Sequence, residues 1–431
     1  MDHFVYQNGQ LHGESVPVSK IADAVGTPCY IYCKATLLHH YDRLASAFAP
    51  LKPLICYSIK SCANLAVIEL LKQRGAGMDL VSGGELHRAV TAGVDPSMCV
   101  YAGVGKTDAE IRLSLQAGVG WFNVESEAEF ENLADIARQM NITCRAALRI
   151  NPDVDPKTHR YTTTGKKESK FGVDLERARA FFARYGSDQH CRLTGIHLHL
   201  GSPIYSADPY VQSINKVLAL MDDLAADAEK PIVVDMLDLG GGFGADYETD
   251  QSPAAADYAQ QIVPLLQDRV HRGLKIIIEP GRSITANAGI LLTRVLYMKT
   301  SGDKTFAICD GGMNDLIRPC HYDAFHFIWP AGVSEQHVPP SRSRQMQLPE
   351  LTPMDVVGPI CETGDFFALD RPLPPLRRGD LLAVFSAGAY GMVMASRYNS
   401  MPLPPEVLVD GESFRVIRRR ETYDDLTRHE V

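Results

Sequence analysis

The sequence predicts an α/β protein, a (β/α)8 barrel followed by an all-β C-terminal domain. Short apolar runs alternate with helix-like stretches about eight times between roughly residues 31 and 287. Beyond residue 288 short β-type runs are separated by proline-rich turns. Polar residues also collect at the end of each predicted barrel strand, the rim on which such barrels carry their chemistry.

In chain order, residues 1–30, with "FVYQNGQLHGE", predict a hairpin that joins the β domain. Residues 31–287 hold the strand runs "PLICYSI", "GMDLV", "MCVYAG", "WFNVES", "CRAALRI", "LTGIHLHL", "VVDMLDL" and "LKIIIEP". Between most of them, stretches such as "NLAVIELLKQRG" and "DAEIRLSLQAG" place apolar residues at helical spacing and end in glycine. The alternation alone also suits a doubly wound open sheet. Residues 288–431 contain "KTFAICD", "MDVVGPICE" and "LLAVFSAGAYG", with turns such as "DRPLPPLRRGD" between them.

The 431 residues, 45% of them hydrophobic, suffice for a large core. A net charge of -9 argues against a nucleic-acid groove or an anionic membrane surface. No basic and apolar leader opens the chain, and no apolar run is long enough to span a bilayer. The 10 cysteines show no paired or metal-like spacing. The expectation is a cytoplasmic enzyme with reduced thiols and no bound metal.

The strand ends carry Lys60, Asp79 with Ser82, Tyr101, Glu125, Arg149, His199 with Ser202, Gly240, Gly241 and Gly242, and Glu279 with Pro280, Gly281 and Arg282. In a barrel all of these share one rim; in an open sheet they do not converge. "LDLGGGFGAD" and "IEPGRS" follow the seventh and eighth strands, the loops that commonly build a phosphate site. Glycines there let backbone N–H groups close on phosphate oxygens. Gly240, Gly242 and Ala245 also satisfy a dinucleotide-binding pattern, but "DYETDQSPAAADY" stands where that pattern needs a helix. Tight turns are a third reading. Lys60 in "CYSIKSCANLAV" is either a solvated strand terminus or a reactive amine. Combined with phosphate loops and the strand-end acid Glu279, it points to pyridoxal 5'-phosphate: lysine for the aldehyde, glycines for the phosphate, acid for the pyridine nitrogen.

Ordered motifs add a resemblance. "YSIKSCANLAV", "HLHLGS", "DLGGGFG", "EPGRS", "GPICETGD" and "GAYGMVMASRYN" resemble, in the same order, motifs of fold-type III pyridoxal phosphate-dependent decarboxylases. That group has a TIM-like barrel of the alanine racemase type. "NPDVDPKTHRY", "SKFGVD", "MNDLIRP", "HYDAFH" and "EVLVDG" are most similar to the diaminopimelate branch of its ornithine/diaminopimelate decarboxylases. The resemblance implies Lys60 as the cofactor lysine, His199 stacked on the ring and Glu279 at the pyridine nitrogen. Ser202, Gly240, Gly241, Gly242, Pro280, Gly281, Arg282 and Tyr390 would line the phosphate region, and Asp79 and Arg149 would support lysine and ring. It further implies Cys361 as the proton donor, on a loop that enters the partner's site of a homodimer. The activity implied is decarboxylation of meso-2,6-diaminopimelate to L-lysine and carbon dioxide, closing lysine biosynthesis.

The distal end of that substrate bears a carboxylate as well as an ammonium. Arg318 and Tyr322, four residues apart, offer a guanidinium fork and a hydroxyl from one helical face. Arg282, Tyr390 and the acidic Glu362 complete the implied substrate set. Ser61 and Cys62 replace the branch's usual alanine and asparagine, Met401 stands where arginine is frequent, and "ETGD" replaces a serine-bearing version. These departures leave open a sister decarboxylase acting on a D-amino acid, on lysine or ornithine, or on a siderophore precursor. An alanine racemase-like enzyme, expected to set arginine against the pyridine nitrogen, and a non-catalytic cofactor-binding barrel are the rivals from other classes.

Overall fold

A computed structural model of the protein describes residues 2–155, 170–227 and 231–431. Eight parallel strands close into a barrel: Leu54–Ser58, Gly77–Leu80, Cys99–Tyr101, Trp121–Val124, Cys144–Ile150, Cys191–Leu198, Met236–Asp238 and Lys275–Ile278. Each lies inside the run expected of it or within two residues, since mostly apolar strands buried on both faces leave a near-continuous sequence signal. The last strand pairs with the first through Ile277 with Leu54 and Ile278 with Ile55, which excludes the open sheet. The interior is filled by Cys56, Val100, Trp121, Ala147, Met236 and Ile277.

The barrel helices start where side chains can take orphaned amide N–H groups. Asn64 caps Leu65–Lys72, Ser82 caps Gly83–Thr91, Ser126 caps Glu127–Gln139 and Asp174 caps Leu175–Tyr185. Thr107 and Glu110 form a reciprocal capping box on Asp108–Ala117. Ser82, a strand-end candidate, therefore has structural work at a helix start. No helix among the described residues is long and apolar enough to cross a membrane.

By internal packing the barrel unit comprises Tyr41–Gly244 and Pro253–Gly281; the second unit comprises Met1–His40, Ala245–Ser252 and Arg282–Val431. The sequence expectation for the barrel was 31–287. The second unit holds a three-stranded sheet of Phe4–Gln7, Gln10–Gly13 and Val16–Pro17, and a nine-stranded sheet. In the latter, Cys29–Cys33 lies between Gly289–Ser301 and Glu406–Asp410, so the strand before the first long helix belongs to this unit. Gly289–Ser301 is its spine, pairing with Leu381–Val384 and with Lys304–Cys309.

Met236 is fully buried among that barrel filling. Met236→Ala is expected to cost about 2–5 kcal/mol by opening a cavity. The check is a lowered thermal unfolding midpoint in far-UV circular dichroism; a midpoint equal to wild type counts against the packing described.

Candidate active site

The first barrel strand ends in a single 3-10 turn, Ile59–Ser61, which sets Lys60 on the rim. Its Nζ lies 2.5 Å from Oδ2 of Asp79, the acid near the end of the second strand. The Ser58 hydroxyl donates to the same oxygen at 2.6 Å, while Asp79 Oδ1 is buried without a partner among the described residues. Burial and the Glu279 charge push the Asp79 carboxyl up; Lys60 and Ser58 pull it back only in part.

Glu279 follows the eighth strand and is 2% exposed. His197 Nε2 donates to it at 3.3 Å and Asn123 Nδ2 at 3.4 Å. Atoms of His197, Asp238 and Glu279 lie within 4.8 Å of one another. Burial and the neighbouring Glu279 charge raise Asp238 well above the carboxylate range. Burial also presses Glu279 upward, but His197, Lys60 and His199 more than reverse this and hold it below its usual range. The pair thus shares one proton, kept on Asp238, and Glu279 stays ionised.

His199 is half-buried, and its Nδ1 accepts the Gly241 N–H at 3.3 Å, which places the ring proton on Nε2. Burial and the Arg149 charge pull its pKa well down, so the ring is neutral. Ser202 sits half-buried on the following turn. The glycine loop is tight for a packing reason. A Cβ on Gly240, Gly241 or Gly242 would come within 2.1 Å of Leu198 O, 2.2 Å of Glu279 O or 2.5 Å of Gly201 O. Gly240 donates to Asp238 and Gly241 to His199. Of these three amides, Gly242's alone has no acceptor among the described residues. Helix Ala255–His271 starts well past the loop, which removes the dinucleotide reading. Pro280 O accepts the Ser58 N–H, and a Cβ on Gly281 would lie 2.9 Å from Ser58 Cβ.

Arg149 Nη1 forks onto both Glu125 oxygens at 3.1 and 3.2 Å, Nη2 reaches His199 O at 3.4 Å, and the guanidinium stacks 4.5 Å from the Phe171 ring. It positions His199.

In the second unit, Arg282 Nη1 donates to Tyr247 Oη at 2.7 Å and its guanidinium lies 4.8 Å from the Tyr390 ring. Arg318 lies 5.3 Å from the Tyr247 ring and 5.7 Å from Tyr322, the two ends of helix Arg318–Tyr322. Burial raises the Tyr247 hydroxyl, but the two cations outweigh it and the net shift is downward. Arg318 is 7% exposed and has no carboxylate partner among the described residues. Its Nε donates to His326 Nε2 at 3.4 Å, and His326 Nδ1 donates to Phe385 O at 2.9 Å. Cys361 and Glu362 lie on an exposed turn, where Glu362 accepts from the Tyr398 hydroxyl; neither is hydrogen-bonded to Arg318.

A lysine with a buried acid, an ionised acid facing the same rim and a glycine loop fit pyridoxal phosphate, and the partnerless Asp79 Oδ1 and the free Gly242 amide leave donors and acceptors for it. Residues 34–286 match the model of the pyridoxal-dependent decarboxylase pyridoxal binding domain. A diaminopimelate decarboxylase of Pseudomonas aeruginosa is 45% identical over 427 residues, covering 99% of this chain and 98% of that protein. The chain belongs to the diaminopimelate decarboxylase family. Its cofactor is accordingly pyridoxal phosphate. Among solved structures, Helicobacter pylori diaminopimelate decarboxylase complexed with L-lysine superposes with a TM-score of 0.88 at 38% identity, over 96% of this chain and 99% of that one. The M. jannaschii family member in complex with L-lysine gives 0.91 at 32% identity, over 100% and 98%.

Several contributors lie outside the residues read from sequence. His197 stands two residues before His199 at the end of the strand Cys191–Leu198, and that two-residue spacing was the signal for it. Asp238, Asn123, Tyr247 and His326 gave none, because their partners are distant in the chain. Residues 156–161 of "NPDVDPKTHRY" and Ser169 of "SKFGVD" lie outside the described residues.

His326 can accept from Arg318 and donate to Phe385 only as a neutral ring. Burial and the Arg318 cation pull its pKa down to about 3, against about 6.5 unfolded. A depressed folded pKa means this contribution is complete above pH ~6.5 and is lost as pH falls from there toward 3. The thermal midpoint is expected to drop between pH ~6.5 and ~4, less steeply in His326→Gln. An unchanged slope in the variant contradicts the assignment.

Proposed function

We propose that the protein decarboxylates meso-2,6-diaminopimelate to L-lysine and carbon dioxide, as a cytoplasmic homodimer with shared sites. The observation that carries the substrate is Arg318: a buried guanidinium without a carboxylate partner among the described residues. Leaving such a charge uncompensated is costly, so the site is built to receive an anion. Ornithine and lysine carry no distal carboxylate to offer it. Arg282 shares the Tyr247 ring with Arg318, and Tyr322 lies beside Arg318; Glu362, lent with Cys361 to the partner's site, would supply a charge for the distal ammonium there.

Lys60 would hold the cofactor's aldehyde carbon, Glu279 its pyridine nitrogen, His199 its ring face, and Gly242 with Ser202 and Gly281 its phosphate. Bound pyridoxal phosphate supplies the sink for the electron pair left on the α-carbon when the carboxylate leaves as carbon dioxide. Asp79 keeps the Lys60 amine aimed at the rim and can take or return its proton. His197 and Asp238 keep Glu279 charged, so the acid opposes a protonated nitrogen. Arg149 braces His199 from behind. Cys361 Sγ then delivers the proton that replaces the lost carboxylate. Cys361 is exposed on the single chain, as expected of an acid lent to a second copy.

The test is carbon dioxide release from meso-diaminopimelate, ornithine, lysine and D-amino acids by the purified protein, alongside Arg318 variants. Arg318→Ala is expected to lower kcat/KM for meso-diaminopimelate about 100-fold, and Arg318→Lys about tenfold, because the charge stays but the fork is lost. Turnover of meso-diaminopimelate by Arg318→Ala at the wild-type rate would overturn the substrate.

A further inference from the structure

Behind the exposed Cys361–Glu362 turn sits a carboxylate that the reaction just described leaves without a part. Asp365 is 3% exposed, and each of its oxygens accepts a backbone N–H from a different loop. Oδ1 takes Met313 N–H at 2.6 Å and Oδ2 takes Ile360 N–H at 2.6 Å. Met313 belongs to the turn that runs into the Arg318–Tyr322 helix, and Ile360 immediately precedes Cys361. Asp365 also closes its own loop, giving its N–H to Glu362 O at 3.1 Å and taking Gly358 N–H on its carbonyl at 3.3 Å.

The surrounding sequence is cut to fit this clasp. A Cβ on Gly358 would lie 2.4 Å from Gly312 Cα and 2.6 Å from Asp365 Oδ2, and a Cβ on Gly312 would lie 2.7 Å from Asp365 Oδ1. Two glycines on two loops are thus required for one side chain to reach both. Beyond the clasp, Asn399 Oδ1 accepts the Cys361 N–H at 3.1 Å, and Tyr398 holds Glu362.

We propose that Asp365 is a positioning residue that straps the Cys361–Glu362 turn to the loop carrying Arg318 and Tyr322, so that the proton donor this chain lends to the partner's site is held in a fixed place. This rests on the roles given to Cys361 and Arg318 above. Two charge-assisted hydrogen bonds from one buried carboxylate are strong and directional, and their loss frees the turn rather than the sheets beneath it. A neighbouring observation fits: burial raises the Asp365 carboxyl, while the Met313 and Ile360 N–H groups draw it back.

Asp365→Asn tests it. An amide has one accepting and one donating head, so one of the two straps then meets a donor. Cys361 is the one exposed cysteine among the ten, which makes its alkylation by iodoacetamide, followed by peptide mass mapping, a direct reading of the turn. Alkylation of the variant is expected to quicken about tenfold, with kcat on meso-diaminopimelate falling by a similar factor and the thermal midpoint little moved. Gly312→Ala, whose Cβ would stand 2.7 Å from Asp365 Oδ1 and push it off the Met313 N–H, is expected to move both readouts the same way by a smaller factor, and decides the matter if Asp365→Asn does not fold. Unchanged Cys361 reactivity overturns the clasp. Faster alkylation with unchanged turnover upholds the clasp and overturns the role of Cys361 as donor.

Discussion

A primary amine held against a fully buried carboxylate at the end of a barrel strand is the contact on which the rest of the structure turns. Asp79 is fully buried, whereas the Lys60 side chain is 31% exposed. The acid is therefore sealed and the amine remains within reach of a reactant. At contact distance such a pair is worth about 1 kcal/mol in water and several times that where the dielectric is low. Ser58 adds a second donor, so the carboxylate cannot swing away from the rim.

The closure of the barrel gives this amine its opposite number. Because the eighth strand pairs with the first, Glu279 arrives beside Ser58 despite the length of chain between them. His197, from the sixth strand, and Asp238, from the seventh, then settle the charge of Glu279 between them. A lone acid this deeply buried would take up a proton. One imidazole donor and one neighbouring acid that keeps the shared proton reverse that outcome. The second unit solves the complementary problem, with two arginines banked against tyrosine faces and Arg318 left to find its anion elsewhere.

The barrel was legible because its signals are local. Capping residues such as Thr107 and Glu110, glycine stops and apolar strands each act within a few positions, and the strand ends Lys60, Asp79, His199 and Glu279 follow once the strands are placed. Arg318 and Tyr322 were legible as a helical pair for the same reason. The supporting residues were not. Asp365 works through amides at 313 and 360, His326 through Arg318 and Phe385, and Tyr247 through arginines at 282 and 318. Such contacts depend on how β loops return to one another, which no periodicity records. The glycine loop shows a subtler limit. Its pattern suggested phosphate binding, yet packing against strand-end carbonyls already demands all three glycines, and two of their amides are spent inside the chain.

The most direct test of this account asks which amine meets the cofactor. Borohydride reduction of the cofactor-loaded protein, followed by proteolysis and mass mapping, reports it covalently. The proposed arrangement predicts a pyridoxyl label on the peptide that contains Lys60 and on no other. A label on a different lysine, or none, would contradict the arrangement of amine and buried acid from which the whole reading starts.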